Sequence, residues 1–157
     1  AFDLAYVAAD LAGTFDIYTV KLAYESLEGN GARGFTTPLA TVHAFQGWSD
    51  AFVSAGGNKS FADGIEDRNI SFNVKPRFKR TWLSNSDLVV RYHDFDDQRT
   101  GADLGSEWDA QLTASITPKL SIALKYADFR REATVPAGTL APPASRSKAW
   151  LTLEYKL

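Results

Sequence analysis

The sequence of 157 residues has no cysteine, no methionine, two histidines and almost no charge imbalance. The absence of cysteine excludes disulfides, a thiol nucleophile and a zinc–thiolate site. The net charge of −2 gives no indication of a nucleic-acid partner. Because Ala1 stands where an initiator methionine would be, we expect a processed or partial product.

Long apolar runs are also absent, and none approaches the roughly 18 residues that a membrane-spanning helix needs. The mean hydropathy of −0.22 resembles that of a water-soluble protein. A membrane β-barrel has a similar value, because only alternate residues of its strands contact lipid.

What the sequence has instead is an alternation of apolar and polar residues with a period of two, which is typical of β-strands. In the clearest stretch, Trp108, Leu112 and Ile116 alternate with polar residues. Six further stretches have the same period: 2–9, 18–25, 69–75, 88–93, 120–127 and 149–157. In the first of these, the alternation assigns Tyr6 and Ala8 to the apolar face and Val7 and Ala9 to the opposite one. The alternation predicts an all-β chain with about seven strands in one domain, residues 1–157.

The predicted links between these strands alternate in length. Three are tight or moderate: Ala12–Thr14, Lys79–Ser86 and Thr117–Lys119. Three are longer and rich in Gly, Pro, Asp and Ser: 28–64, 95–105 and 131–147. This alternation predicts an antiparallel up-and-down sheet with its short turns at one end, as in outer-membrane barrels.

Alternation alone leaves open which face is inside, because a lipocalin-like barrel would bury its apolar face around an apolar ligand. Aromatic residues near the strand ends favour a membrane barrel, where such residues form two girdles. The predicted outer girdle is Tyr24, Tyr92, Trp108 and Tyr126, and the predicted inner girdle is Tyr18, Phe78 and Tyr155. We therefore expect a transmembrane β-barrel in contact with the lipid of a bacterial outer membrane.

The stretch GFTTPLATVHAFQGWSDAF, residues 34–52, lies in the long predicted external loop 28–64. It resembles the FxTPLATxHxFxGWxDxF segment of the bacterial alginate-export family of outer-membrane β-barrels. The stretches YHDF (92–95), DLGSEWDAQLTASIT (103–117) and LSIALKYADF (120–129) also resemble strands of that family. The resemblance implies the C-terminal portion of a larger barrel, about seven of whose strands are in this chain. It also implies a channel for polysaccharide or small hydrophilic solutes, without catalysis or a cofactor.

In such a barrel the polar face of each strand lines the lumen. The predicted lumen-lining residues are Lys21, Glu25, Lys75, Arg77, Arg91, His93, Glu107, Asp109, Lys125, Glu154 and Lys156. Basic side chains in a pore favour anionic solutes. A ladder of neutralising cross-strand pairs is the alternative, and the sequence leaves both open.

The apolar residues of the long loop form a second candidate group. We expect them to fold back over the mouth, against Leu27, Val89 and Phe95, and to constrict it or serve as a platform for sugar rings; packing within the loop alone is the alternative. The predicted constriction residues are Phe35, Pro38, Leu39, His43, Phe45 and Trp48.

The sequence gives little support for metal binding, phosphate binding or catalysis. The acidic stretch Asp94–Glu107 lacks the spacing of an EF-hand, and GGNKS (56–60) lacks the context of a phosphate-binding loop. His43 and His93 have no metal-ligand companions nearby in sequence. We therefore predict no metal, cofactor or enzyme activity. The alternative function is an accessory barrel whose external loops bind a partner. With either function, seven strands leave two unpaired edges, and we expect missing strands of the same barrel or another envelope protein to cover them.

Overall fold

The computed structural model describes residues 3–37, 46–53, 61–77, 85–134 and 136–157. Seven antiparallel strands in these ranges form one sheet in chain order, so the predicted all-β, up-and-down sheet is confirmed. The strands are β1 (Tyr6–Phe15), β2 (Tyr18–Glu28), β3 (Gly64–Val74), β4 (Asp87–Asp97), β5 (Asp103–Ser115), β6 (Leu120–Arg131) and β7 (Arg146–Tyr155). Within the described ranges, no helix has the length and apolar character needed to cross a membrane.

The sheet is open at both sides. Among the described residues, β1 pairs with β2 alone and β7 pairs with β6 alone. These seven strands therefore do not close into a barrel by themselves.

The links divide between the two ends of the sheet as the sequence predicted. The long-link end carries 29–63, 98–102 and 132–145, and the short-turn end carries 16–17, 75–86 and 116–119. The middle long link is shorter than predicted, because β4 and β5 extend to Asp97 and Asp103. The link 75–86 is longer than the predicted Lys79–Ser86, because β3 ends at Val74.

The first turn was predicted at the wrong residues. Phe15 pairs with Tyr18, so the turn is Asp16–Ile17 and not Ala12–Thr14. Asp16 has a φ of 51°, a left-handed conformation that aspartate tolerates better than most residues. Gly13, in the middle of the predicted turn, pairs with Val20 inside β1.

The sequence also assigned the side chains of β1 to the wrong faces of the sheet. Tyr6 pairs with Leu27 and Ala8 with Glu25, so both lie on the polar face and not the apolar one. The error has a physical cause, since β1 carries small or apolar residues on both of its faces and its alternation is therefore weak.

The register defines the two faces of the sheet. The apolar face holds exposed hydrophobic side chains from every strand, including Val7, Leu11, Phe15, Tyr18, Val20, Leu22, Ile70, Phe72, Leu88, Trp108, Leu124, Tyr126, Leu151, Leu153 and Tyr155. The polar face holds Glu25, Asp67, Arg91, His93, Glu107, Asp109, Lys125 and Lys148, among others.

The hydrophobic core lies on the polar face, at the long-link end. Phe52 packs edge-on against Phe95 and Phe129, with ring centroids 5.0 and 5.7 Å apart. Leu104 joins this cluster because a bulge opposite Phe95 and Asp96 leaves it as an additional residue. Gly105 permits the bulge through a φ of +124°. Phe52 belongs to the link between β2 and β3, so this core fixes that link to the sheet.

Candidate functional site

The residues Gln46–Val53, here called the inner segment, lie across the polar face of the sheet. Gln46, Gly47 and Asp50 have φ values of 45°, 77° and 57°. Three left-handed residues within five positions curl the backbone tightly, so that successive N–H groups and side chains point toward the strands.

Two carboxylates of β5 accept hydrogen bonds from the inner segment. Ser49 donates from its backbone N to Glu107 Oε1 at 2.7 Å and from its Oγ to Glu107 Oε2 at 2.5 Å. The backbone N of Trp48 donates to Asp109 Oδ2 at 3.3 Å. Glu107 and Asp109 are both fully buried, so these bonds replace the water that a buried carboxylate has lost.

Gly47 lies directly against Glu107. A Cβ at this position would lie 2.5 Å from Glu107 Cδ, closer than such atoms approach one another. The close approach lets the backbone of the inner segment reach the carboxylate, and only glycine allows it.

A third carboxylate, Glu25 of β2, holds the start of the inner segment. Gln46 Nε2 donates to Glu25 Oε2 at 2.5 Å, and the Tyr6 hydroxyl of β1 donates to Glu25 Oε1 at 2.8 Å. Phe35 stacks on Tyr6, with ring centroids 5.5 Å apart. The long link thus contacts the sheet near β1 as well as at its centre.

Cations of three strands surround the same segment. Lys125 Nζ lies 4.7 Å from the centre of the Trp48 ring, and Arg91 Cζ lies 5.9 Å from it, both within the range of cation–π attraction. Lys148 Nζ pairs with Asp50 Oδ2 at 2.8 Å. Trp48 is only 8% exposed. The inner segment is therefore bound by side chains from β4, β6 and β7 in addition to β2 and β5.

His93 lies beneath the segment and connects three strands. Its Nδ1 is 2.9 Å from both carboxylate oxygens of Asp67, and its Nε2 is 3.5 Å from Asp109 Oδ2. Its ring stacks on Phe95 at 5.4 Å. Among the described residues, no cluster of His, Asp and Glu is arranged to hold a metal ion. His93 is thus a buried brace between β3, β4 and β5.

Space remains on the polar face beside the inner segment. A groove of about 310 Å³ lies between the segment and the first four strands. Its polar lining comes from Asp10, Lys21, Glu25, Gln46, Asp67, Asn69, Arg91 and His93. A second space of about 330 Å³ lies nearer the short-turn end, where Glu154 and Lys156 are among its lining residues. Polar groups form the larger part of the wall of the first groove, whereas polar and apolar groups contribute about equally to the second.

The residues predicted to line a lumen fall into two groups. Those brought together beneath the inner segment are Glu25, Arg91, His93, Glu107, Asp109 and Lys125. Of the others, Lys21 pairs with Asp10 at the groove beside the segment, Lys75 pairs with Asp87 and Arg77 with Asp16, and Glu154 and Lys156 lie at the second space.

The predicted constriction residues are only partly described. Trp48 packs on the polar face, where Arg91 and Lys125 contact its ring. The predicted place beside Phe95 is occupied by Phe52 instead. Pro38, Leu39, His43 and Phe45, and the girdle residue Phe78, lie outside the described residues.

Sequence reasoning missed several residues of the site: Gln46, Ser49, Asp50, Phe52, Asp67 and Lys148. Asp67 could have been predicted, because it continues the polar alternation of Asn69 and Ser71 toward the long-link end. The residues of the inner segment have no periodicity that would show which of them point toward the sheet.

No family model, curated protein or solved structure matches this chain. Its likeness to the alginate-export family therefore stays a resemblance between short stretches of sequence.

Proposed function

We propose that this chain forms part of the wall of an outer-membrane β-barrel that conducts hydrophilic solutes. The observation that carries the proposal is an inverted distribution of side chains. Leu22, Leu124 and Leu151 are 52%, 47% and 64% exposed on the apolar face, while Glu107 and Asp109 on the polar face are fully buried. A water-soluble sheet protein would bury the leucines and expose the carboxylates. Lipid against the apolar face removes this contradiction.

The dimensions of the strands support a membrane location. Each strand has 10 to 13 residues, and about 9–11 tilted residues cross a bilayer. Seven adjacent strands of this length, with apolar residues at alternate positions over part of each strand, make a continuous apolar surface.

At the long-link end, the border of this apolar surface resembles a membrane–water interface. The Tyr24 hydroxyl donates to Glu66 Oε1 at 3.0 Å, and Arg68 pairs with Glu66 at 2.8 Å and with Asp96. Tyr and Trp residues at such a border position a protein at the lipid headgroups, with charges beyond them in water.

The polar face supports the assignment of a solute path. Charges of both signs line it, and the inner segment occupies part of its width. We infer that this segment narrows the path and selects for small or extended hydrophilic molecules. The resemblance to the alginate-export family adds polysaccharide to the candidate solutes.

Planar-bilayer recording of the protein extracted in detergent from its membranes tests this function. We expect discrete ion currents. The unit conductance should be larger for Trp48→Ala, because the ring that narrows the path and holds Arg91 and Lys125 by cation–π contacts is lost. Trp108→Ala, on the apolar face, is the control and should leave conductance unchanged. A protein that inserts but carries no current would contradict the proposal and favour an accessory barrel that binds a partner through its long links.

A further inference from the structure

The groove of about 310 Å³ beside the inner segment has carboxylates that already hold partners. Asp10 pairs with Lys21, and both oxygens of Asp67 lie 2.9 Å from His93 Nδ1. Glu25 accepts hydrogen bonds from side chains of the inner segment and of β1. A cation that entered the groove would therefore have to displace a contact that the protein itself makes.

The same groove has no excess of positive charge that would attract an anion. Two cations and three carboxylates line it: Lys21, Arg91, Asp10, Glu25 and Asp67. The lining therefore carries one negative charge in excess, and none if His93 is protonated. Carboxylates at the wall repel a carboxylate on a ligand, so the charges of this groove favour a neutral molecule.

Gln46 and Arg91, at the wall of this groove, each hold a polar atom without a hydrogen-bond partner among the described residues. Gln46 is 1% exposed, and it donates from Nε2 to Glu25 but leaves its Oε1 unpaired. The Nε of Arg91 is buried and unpaired as well. Buried polar groups without a partner are uncommon in folded proteins. The wall thus has an unused acceptor and an unused donor for a molecule bound in the groove.

These wall groups match a hydroxyl-bearing ligand. A hydroxyl group both donates and accepts, so neighbouring hydroxyls can donate to Gln46 Oε1 and accept from Arg91 Nε. The side-chain amide of Asn69, which also lines the groove, supplies a further donor and acceptor. A carboxylate only accepts and an ammonium only donates, so neither can pair with both kinds of group.

The size of the groove limits the ligand to one small unit. Its volume of about 310 Å³ lies at the lower limit of ligand pockets, which measure roughly 300–1,000 Å³. Ala8 and Ala23, on the polar face of β1 and β2, line it with small side chains that leave this space open.

We propose that the groove is a binding subsite for one neutral sugar ring, held through its hydroxyl groups by Gln46, Asn69 and Arg91. This inference rests on the proposed function, because it places the subsite on the path of the conducted solute. Gln46 belongs to the inner segment, so the segment that narrows the path also contributes to the recognition of the solute.

Saturation-transfer NMR of the full protein, purified in detergent from its membranes, measures sugar binding without any need for conduction. The probes are glucose, galactose and mannose, each compared with its own uronic acid, in which a carboxylate replaces the CH₂OH group. We expect at least one neutral hexose to bind about tenfold more tightly than its uronate, because the carboxylates of the groove repel the uronate. The affinity for the hexose should be the same at low and high salt, since the hexose has no charge to be screened.

Asn69→Ala and Asn73→Ala form a matched pair of variants on the polar face of β3. Asn69 lines the groove, whereas Asn73 bonds to Asp87 nearer the short-turn end. Loss of a hydrogen bond to the sugar should weaken hexose binding by Asn69→Ala by roughly three- to tenfold. Asn73→Ala should leave the affinity unchanged.

Arg91→Lys separates hydrogen bonding from charge. Lysine keeps the positive charge but lacks the Nε–H group, so hexose binding should again weaken by roughly three- to tenfold. Arg77→Lys is its control, because Arg77 pairs with Asp16 outside the groove and its replacement should leave hexose binding unchanged.

Tighter binding of the uronates than of the hexoses, or equal affinities of Asn69→Ala and Asn73→Ala, would overturn the inference. Binding of none of the three hexoses would also overturn it, and would mean that water alone occupies the groove. The planar-bilayer recording is independent of this result. Ion currents without hexose binding would contradict only the subsite, whereas hexose binding by a protein without current would contradict only the proposed conduction.

Discussion

At the scale of residues, donors of the inner segment replace water as the hydrogen-bond partners of three carboxylates on the sheet. Glu25, Glu107 and Asp109 are buried, and a buried carboxylate without donors is strongly unfavourable. The inner segment supplies those donors from one side chain amide, one hydroxyl and two backbone N–H groups. The carboxylates thus specify where the segment lies, and the segment makes their burial tolerable.

Ser49→Ala removes the hydroxyl that donates to Glu107. Removing one partner of a buried hydrogen bond costs about 1–3 kcal/mol, and we expect a loss of this size in the unfolding free energy of the vesicle-bound protein, measured by urea titration. Ser147→Ala is the matched control, because Ser147 Oγ donates to Asp128 Oδ1 at 2.5 Å on the exposed surface. Its loss should stay below about 1 kcal/mol. Equal losses of unfolding free energy in the two variants would mean that the buried hydrogen bond stabilises the protein no more than the exposed one.

Gly47→Ala tests the close approach of the inner segment to Glu107. We expect the new methyl group to displace the segment, expose it to added protease and raise conductance, since the Cβ would lie 2.5 Å from Glu107 Cδ. Gly101→Ala carries the same strain of a positive φ, +70°, but its Cβ would meet nothing within 4 Å. If both variants gain equal protease sensitivity, the effect comes from backbone strain and not from the contact.

At the scale of elements, the sequence predicted the strands well and the site poorly. The alternation of Leu120, Ile122, Leu124 and Tyr126 was sufficient to place β6 and its faces, because a half-covered strand must repeat every second residue. The prediction for β1 failed because Ala residues on both faces make the two phases of the alternation nearly equivalent. The inner segment could not be predicted, since its contacts lie up to 98 residues away in sequence and follow from three left-handed residues.

Opposite faces of β6 should respond differently to a charge. With the proposed lipid contact of the apolar face, Leu124→Arg would place a guanidinium in lipid, and we expect it to destabilise the vesicle-bound protein by about 2–4 kcal/mol. Ala123→Arg, one residue away, points into the polar space of about 330 Å³ and should cost little. Urea titration of both variants provides the comparison. A larger loss for Ala123→Arg would mean that the two faces are assigned the wrong way round.

The long-link end should depend on acid through Asp63, which lies outside the strands. Arg99 Nε donates to Asp63 Oδ1 at 2.6 Å, and this contact lowers the pKa of Asp63 below its usual value. A lowered folded-state pKa contributes stability above the unfolded value of about 3.9, and that stability is lost as the pH falls through the folded pKa.

Hydrogen exchange at the backbone N–H groups of Gly31 and Arg99, which bond to Ala62 O and Asp63 O, reports this loss. We expect their protection, corrected for intrinsic exchange, to fall below a pH of about 4. In Asp63→Asn this acid-dependent part should disappear, while Asp16→Asn at the opposite end should retain it. An unchanged acid response in Asp63→Asn would contradict the assignment to this ion pair.

At the scale of the whole molecule, two features need an explanation outside the seven strands. The apolar face is uncovered along its length, and both edges are unpaired among the described residues. Under the proposed function, a bilayer covers the apolar face and further strands of the barrel cover the two edges. The polar face then becomes the inner wall of a barrel, and the inner segment becomes a constriction within it.

The central claim is that lipid contacts the apolar face and water contacts the polar face. Spin labels placed singly along β6, at Ile122, Ala123, Leu124, Lys125 and Tyr126, test it most directly in reconstituted vesicles. We predict that oxygen, which concentrates in lipid, relaxes the labels at Ile122, Leu124 and Tyr126, and that a water-soluble nickel chelate reaches Ala123 and Lys125 instead. Access of the nickel chelate to Ile122, Leu124 and Tyr126 would contradict the account.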